Sequence, residues 1–168
     1  MSIRIAGIAT ESVVDGPGLR LVIFCQGCFH NCRNCHNPET QDPHGGREVK
    51  EAELLEIIDS TPLIRGVTFS GGEPMLQADK LVPIARYVKA VKHYNLVVYT
   101  GYVFEDLLEI SEENTAVSEL LQYTDWLIDG PYIEEERDLS LAFRGSRNQR
   151  IIDVRRSLES GRVQTVEF

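Results

Sequence analysis

Leu19 to Glu39 reads LRLVIFCQGCFHNCRNCHNPE. Its opening run, LRLVIF, has the length and apolar content of a buried strand. That strand leads directly into a loop holding all four cysteines of the chain, Cys25, Cys28, Cys32 and Cys35, within eleven residues. Scattered core cysteines do not cluster in this way. Thiolates this close repel one another and oxidise readily, so a soft metal centre is the natural reason to gather them. The last three are spaced C-x3-C-x2-C. Three thiolates can hold three irons of a cubic [4Fe–4S] cluster, whose usual complement is four. The remaining iron is then open to a ligand from solution, and an open metal position is a place for chemistry.

Other readings of the cysteines stand beside this one. A disulfide framework belongs to secreted chains, and the N-terminus MSIRIAGIATES shows no charged segment followed by an apolar one. A structural zinc site uses four cysteines, but commonly with a hairpin or finger between two pairs, and here only three residues separate Cys28 from Cys32. A ferredoxin-like cluster would recruit Cys25 as well. Bacterial ferredoxins, however, have a different internal spacing and a proline directly after the last cysteine, whereas Pro38 comes three residues after Cys35.

The chain has 168 residues, which predicts a single domain over residues 1–168 with a proper core. Apolar content is 42%, and no stretch is long enough to span a membrane. These features predict a reduced, cytoplasmic protein. The formal charge of −9 argues against a nucleic-acid partner, which would need a basic face.

Outward from the cysteine loop, strand and helix patterns alternate. The apolar spacing predicts a helix over Glu48 to Ile58 and a strand over Gly66 to Phe69. It predicts a helix over Ala78 to Val91, with Pro83 tolerable only in its first turn. A strand over Leu96 to Tyr99 follows, then a helical stretch from Val103 to Leu121 with a polar break at Ser111 to Asn114. Strands over Trp126 to Ile128 and Arg150 to Val154 close the series. Alternation of this kind predicts parallel βα units.

The turns after the strands carry the chemistry-bearing residues. The first strand runs into the cysteines, the second into Ser70-Gly71-Gly72-Glu73-Pro74, the third into Thr100-Gly101-Tyr102 and the fourth into Asp129-Gly130-Pro131. In a parallel array all these turns lie at the C-terminal edge, where α/β folds place their active sites. Two glycines let the backbone approach a ligand and offer free N–H groups, and a carboxylate beside them can receive an ammonium. Read alone, SGGEP is a βα turn with a helix-initiating Glu-Pro.

The cysteine motif and the Gly-Gly-Glu turn together resemble the radical S-adenosylmethionine superfamily. The resemblance implies a [4Fe–4S] cluster, one per chain, on Cys28, Cys32 and Cys35, and S-adenosyl-L-methionine as cofactor. It implies that Gly71, Gly72 and Glu73 bind the methionine part, with Glu73 taking the amino group. It places Asn34, Cys35 and His36 beside the cofactor. Asn34 stands where the superfamily usually has an aromatic residue against the adenine. Asp129, at a strand end, is expected to make a polar contact to the cofactor. His30 and His36 are assigned no catalytic role, and Cys25 reads as a packed thiol at the end of a buried strand.

The resemblance is closer still over most of the chain. Asp15-Gly16-Pro17-Gly18-Leu19-Arg20 is similar to a motif of glycyl-radical-enzyme activases. Leu127 to Asp153, with Arg144-Gly145-Ser146-Arg147-Asn148-Gln149, resembles the corresponding stretch of anaerobic ribonucleoside-triphosphate reductase activating proteins. The resemblance implies an incomplete (β/α) barrel of mostly parallel strands whose open side admits a protein loop. It implies cleavage of the cofactor and formation of a glycyl radical on the reductase, with flavodoxin or ferredoxin as electron donor. It also places Asp15 where the partner's glycyl loop docks, at the rim of the C-terminal face. An activase for another glycyl-radical enzyme, of the pyruvate formate-lyase type, and a non-catalytic iron–sulfur electron carrier are the rival readings.

Overall fold

A computed structural model describes all residues from Met1 to Phe168. Seven strands form one sheet: β1 (Ser2–Ser12), β2 (Arg20–Cys25), β3 (Arg47–Lys50), β4 (Gly66–Gly71), β5 (Asn95–Tyr99), β6 (Trp126–Asp129) and β7 (Arg150–Asp153). Their spatial order is β3-β1-β2-β4-β5-β6-β7. The central neighbours β2, β4, β5 and β6 pair in parallel. β1 is antiparallel to both β2 and β3, and β7 is antiparallel to β6. Only β1 and β7 therefore run against the rest, and the fold is a mixed α/β sheet with mostly parallel strands.

Three of these strands, β1, β3 and β7, depart from the sequence expectation. β1 was not anticipated: buried Ile3 and Ile5 mark its start, but register shifts at Ile5/Gly7 and Ala9/Ser12 break the alternation that would announce a strand. The last strand was expected in a parallel series. It turns back because Gly130 to Gln149 contains only one short 3₁₀ turn, Glu134–Glu136, and no crossover helix.

Five helices complete the fold: α1 (Glu51–Ser60), α2 (Ala78–Arg86), α3 (Phe104–Glu113), α4 (Thr115–Tyr123) and α5 (Val154–Ser160). The helix expected from Glu48 starts at Glu51 because the preceding residues pair with β1 as a strand. Pro83 lies beyond the first turn of α2, contrary to expectation. Its lost backbone bond is tolerated because buried Ala78, Leu81, Val82, Ile84 and Ala85 anchor the helix. The predicted break falls at Asn114, whose side chain caps α4 by accepting from Val117 N at 3.1 Å.

The strands sort their side chains by parity. Leu21, Ile23, Cys25, Val67, Phe69, Leu96, Val98, Leu127 and Ile152 belong to the main core with the helices. Val97, Ile128 and Ile151 form a second, small cluster with Tyr99, Trp126 and Phe143 on the opposite face. That opposite face, free of helices, is where the cavity lies.

Candidate active site

A cavity of about 460 Å³ is lined by the cysteine loop (Cys28, His30, Cys32, Cys35, His36), the β4 end (Ser70, Gly71, Gly72) and the β5 end (Tyr99, Thr100, Gly101). The segment after β6 contributes Gly130, Tyr132, Phe143, Arg144 and Gln149 among others, and Val13, Val14 and Asp15 also line the cavity. The volume lies within the range that holds a cofactor-sized molecule. The strand ends thus meet at one cavity through the cysteines, Gly71, Gly72 and Gly130, while Glu73 and Asp129 are outside its lining.

The loop bends through asparagine. Asn31 and Asn34 adopt left-handed backbone (φ 51° and 55°), which Asn tolerates better than most residues. The turn at Asn34 lets Cys35 N donate to Cys32 O at 3.2 Å, and Asn37 N donates to Cys35 Sγ at 3.4 Å. Asn34 itself is exposed and does not line the cavity, so its expected place beside the cofactor is corrected to a conformational one. His36 does line the cavity, with its ring 4.5 Å from that of Tyr132.

All four cysteines are free thiols. Burial pushes the Cys28 thiol up, and the charges of Glu73, Cys32 and Cys35 add to the shift, although a backbone bond at His30 opposes it. The sulfurs of Cys28, Cys32 and Cys35 face one cavity and fit a cationic centre that neutralises them as thiolates. No three Cys, His, Asp or Glu side chains converge on a point that would hold a single ion. A cubic cluster presents its irons at separate corners, so its ligands need not converge, and the donor set fits such a group. Cys25 is fully buried in the helix-side core, and burial raises its pKa to about 12.

The Gly-Gly-Glu turn works differently from the sequence expectation. Its N–H groups are not free: Gly72 N donates to Cys25 O and Glu73 N to Gly27 O, both at 2.8 Å. The glycines allow close approach to the cysteine loop. A Cβ on Gly71 would stand 2.6 Å from the Cys25 backbone, and one on Gly72 would stand 2.4 Å from Gly27 O and 2.8 Å from Thr40 O. Backbone cannot yield as a flexible side chain can. Gly72→Ala is therefore expected to displace the loop and to lower iron bound after anaerobic reconstitution several-fold, as read by iron analysis of the folded variant.

Glu73 is 1% exposed and does not line the cavity. Its carboxylate accepts from His30 Nε2 at 2.6 Å, Thr100 Oγ1 at 2.9 and 3.0 Å, Gly101 N at 2.8 Å and Met75 N at 3.0 Å. The expectation that it meets the cofactor's amino group is corrected: its acceptor sites are taken by three segments of the chain itself. Asp129 is corrected likewise. It is buried on the helix side, accepting from Phe104 N at 2.8 Å and from Arg150 Nε and Nη2 at 3.1 and 2.5 Å. Those bonds raise the Arg150 pKa and leave Asp129 no free face toward the cavity.

Asp15 reaches the cavity from the edge that the strand topology alone implies for a turn preceding β2. The β1–β2 turn lies at the edge opposite the cysteines, since Ser12 pairs with Arg20. Its residues fold back over the helix-free face: Thr68 Oγ1 donates to Asp15 O at 2.8 Å, and Arg20 Nη1 donates to Pro17 O at 2.8 Å. Arg20 is fully buried, also bonding Thr68 Oγ1 and Val67 O, and burial lowers its pKa to about 10. The Asp-Gly-Pro-Gly-Leu-Arg run is thus a turn pinned by its own arginine. The rim position expected for Asp15 becomes a position on the cavity wall.

Sequence reasoning missed Ser70, Tyr99, Tyr132, Phe143, Arg144 and Gln149. The last four belong to the segment whose course depends on the direction of β7. Because β7 is antiparallel, Gly130 to Gln149 begins and ends at the cysteine edge. Gln149 closes the segment, accepting from Gly145 N and Ser146 N at 2.8 and 3.1 Å and donating to Gly130 O at 3.1 Å.

A family model described as a 4Fe-4S single cluster domain matches residues 14–152. The anaerobic ribonucleoside-triphosphate reductase-activating protein of Pasteurella multocida is 37% identical over 145 residues, covering 82% of this chain and 89% of that protein. Its Vibrio cholerae counterpart is 35% identical with the same coverage. The pyruvate formate-lyase-activating enzyme of Clostridium pasteurianum is 34% identical over 86% of this chain but only 59% of its own length. Among solved structures, QueE from Escherichia coli aligns with a TM-score of 0.47 and 18% identity over 60% of this chain and 53% of that one. The family-model match runs from the pinned Asp15 turn through the cysteine loop to β7, the span that builds most of the cavity, and the chain belongs to the 4Fe-4S single cluster domain family and, within the radical S-adenosylmethionine superfamily, to the family of anaerobic ribonucleoside-triphosphate reductase-activating proteins.

Proposed function

We propose that this protein activates an anaerobic ribonucleoside-triphosphate reductase by reductive cleavage of S-adenosylmethionine and formation of a glycyl radical on the reductase. The observation that carries the reading is that Cys28, Cys32 and Cys35 share one cavity with Gly71 and Gly72. An electron carrier has no use for a cofactor-sized cavity beside its cluster. The chain matches 89% of the length of the reductase-activating relative but 59% of the pyruvate formate-lyase one, which favours the first as the type of partner.

In this reading one [4Fe–4S] cluster per chain is held by Cys28, Cys32 and Cys35. When bound, it would supply the single electron that cleaves S-adenosylmethionine to methionine and a 5′-deoxyadenosyl radical, the species that would take a hydrogen atom from a glycine of the reductase. The chain binds, orients and shields. Cys35, His36, Gly71 and Gly72 contact the cofactor. With its N–H tied to Cys25 O, Gly72 has its carbonyl left to offer an ammonium. Tyr132 and Phe143 cover the side away from β4. The sheet is the wall of an incomplete (β/α) barrel, and its open side admits the peptide. A reduced flavodoxin or ferredoxin in the cytoplasm supplies the electron.

Anaerobic incubation of the reconstituted protein with dithionite and S-adenosylmethionine is expected to release 5′-deoxyadenosine. Addition of the reductase is expected to give a glycyl-radical doublet by electron paramagnetic resonance. Absence of 5′-deoxyadenosine from protein with a full cluster would remove the enzymatic reading. Absence of only the doublet would point to a different glycyl-radical partner.

Asp15 is proposed to meet the incoming glycyl loop. Its Oδ2 accepts from Ser12 Oγ at 2.5 Å, a bond that asparagine can keep. Asp15→Asn is expected to leave uncoupled cofactor cleavage intact and to lower glycyl-radical yield several-fold. A parallel fall in both activities would indicate a folding role, and no change in either would take Asp15 out of the docking site.

A further inference from the structure

The cavity wall carries one permanent cation. Among the lining side chains only Arg144 is a guanidinium or ammonium, and only Asp15 is a carboxylate. The Arg144 side chain is just 11% exposed. It is nevertheless weakly engaged. Nε donates to Ala142 O at 3.3 Å, and Nη2 reaches Glu167 Oε2 at 3.4 Å on a side chain that is 79% exposed. Nη1 donates to no group of the chain. A guanidinium has five N–H donors in a planar fork matched to a carboxylate. Nη1 is not sealed from water, so the fork stands half-used at the cavity surface, where an anion can complete it.

The backbone around Arg144 is fixed. Phe143, the residue before it, has left-handed φ of 62°, a conformation bulky side chains rarely adopt. The Tyr99 hydroxyl holds it there by donating to Phe143 O at 2.8 Å. On the other side, Gly145 N and Ser146 N are clamped by Gln149 Oε1. The direction in which Arg144 leaves the chain is therefore set before any ligand arrives. A carboxylate entering this cavity otherwise meets Asp15 and the cysteine sulfurs, all of which repel it when ionised.

We propose that Arg144 receives the carboxylate of the methionine end of S-adenosylmethionine, exchanging its weak contact with Glu167 for the ligand. This assignment rests on the cofactor reading above. It makes Arg144 a binding and specificity residue: it selects a ligand that carries an α-amino-acid carboxylate over one that lacks it.

The test is equilibrium dialysis of the cluster-loaded full chain, under anaerobic conditions, against S-adenosylmethionine and against decarboxylated S-adenosylmethionine. Arg144→Gln is expected to weaken S-adenosylmethionine binding by about ten- to a hundred-fold, the size of a lost charge-assisted bond. It is expected to leave affinity for the decarboxylated compound unchanged. Arg144→Lys, which keeps the charge without the fork, is expected to restore part of the discrimination and carries the test if Arg144→Gln fails to hold its cluster. Arg155→Gln removes a surface cation, one paired with Glu159 on α5, and is expected to change neither affinity. Equal weakening of both ligands, no weakening of either, or the same loss in Arg155→Gln would overturn the assignment. If the wild-type protein with a full cluster binds neither ligand, the cofactor reading falls and this inference with it. If it binds both equally, only the inference falls.

Discussion

Alanine at any one of Cys28, Cys32 or Cys35 is expected to abolish a stable four-iron cluster, while Cys25→Ala keeps it. The three differ from the fourth in where they point. Cys28, Cys32 and Cys35 are partly exposed and line the cavity. Cys25 ends β2 on the helix side, shares the main core with Leu21 and Ile23, and is fully buried. Burial raises its pKa to about 12, with the charge of Glu73 adding to the effect. A raised thiol pKa means the neutral form persists as pH rises, so Cys25 is neither a ready ligand nor a ready nucleophile at pH 8. Loss of its sulfur is a packing change of the ordinary size, about 0.5–3 kcal/mol. Iron and sulfide per chain after anaerobic reconstitution check the first half. Peptide mapping after iodoacetamide at pH 8 checks the second, with Cys25 expected to react only after unfolding. Loss of iron in Cys25→Ala would make a fully protein-ligated cluster the better account and leave no open iron for a cofactor.

The separation of Cys25 from the other three was legible in the sequence because it needs only parity and spacing. An apolar strand ending in cysteine puts that side chain on a definite face. The C-x3-C-x2-C run that follows lies in a loop. The four parallel strands were legible for the same reason, since each is a short apolar run closed by a Gly-containing turn. The course of the chain after β6 was not read, although a signal existed. Gly130 to Gln149 shows no helical periodicity, and a parallel crossover in a sheet requires a long connection, usually a helix. That absence pointed to an antiparallel return, which is what brings Tyr132, Phe143 and Arg144 to the cavity.

Other features depend on contacts distant in sequence. Arg20 sits in an apolar run and is fully buried, yet its partners Thr68 and Val67 lie on another strand. Nothing near Asp15 indicates that its turn folds back over the sheet, because the anchoring hydroxyl belongs to Thr68. Asp129 and Glu73 show the same limit. A carboxylate at a strand end can face ligand or scaffold, and the local sequence does not say which. For Glu73 the plain reading of Glu-Pro as a helix start holds part of the answer, since Met75 N donates to its carboxylate as the 3₁₀ turn Pro74–Gln77 begins.

Glu73→Ala is accordingly expected to act on stability first and on cofactor binding only through it. The carboxylate ties three segments together: the cysteine loop through His30, the β5 turn through Thr100 and Gly101, and the 3₁₀ turn through Met75. His30 in turn packs against Gly101, where a Cβ would stand 2.4 Å from the ring, and against Tyr102 with ring centroids 4.7 Å apart. Removing one partner of such a buried charged network costs about 3–5 kcal/mol, because the remaining donors lose their acceptor away from water. In a chain of this size that lowers the melting temperature by roughly 6–20 °C. Glu73→Gln keeps the shape but turns an amide N–H₂ toward groups that are themselves donors, so a smaller loss in the same direction is expected. Thermal unfolding of the two variants by circular dichroism, with iron content after reconstitution, measures both effects. A direct cofactor contact predicts a different pattern. If Glu73→Gln melts like the wild type and holds a full cluster, yet binds S-adenosylmethionine tenfold or more weakly, the carboxylate meets the ligand and the scaffold role is wrong. If instead stability and iron content fall while cluster-loaded molecules keep their affinity to within a few-fold, the Gly-Gly-Glu turn divides its work between glycines that face the cavity and a glutamate that holds the cysteine loop against the end of β5.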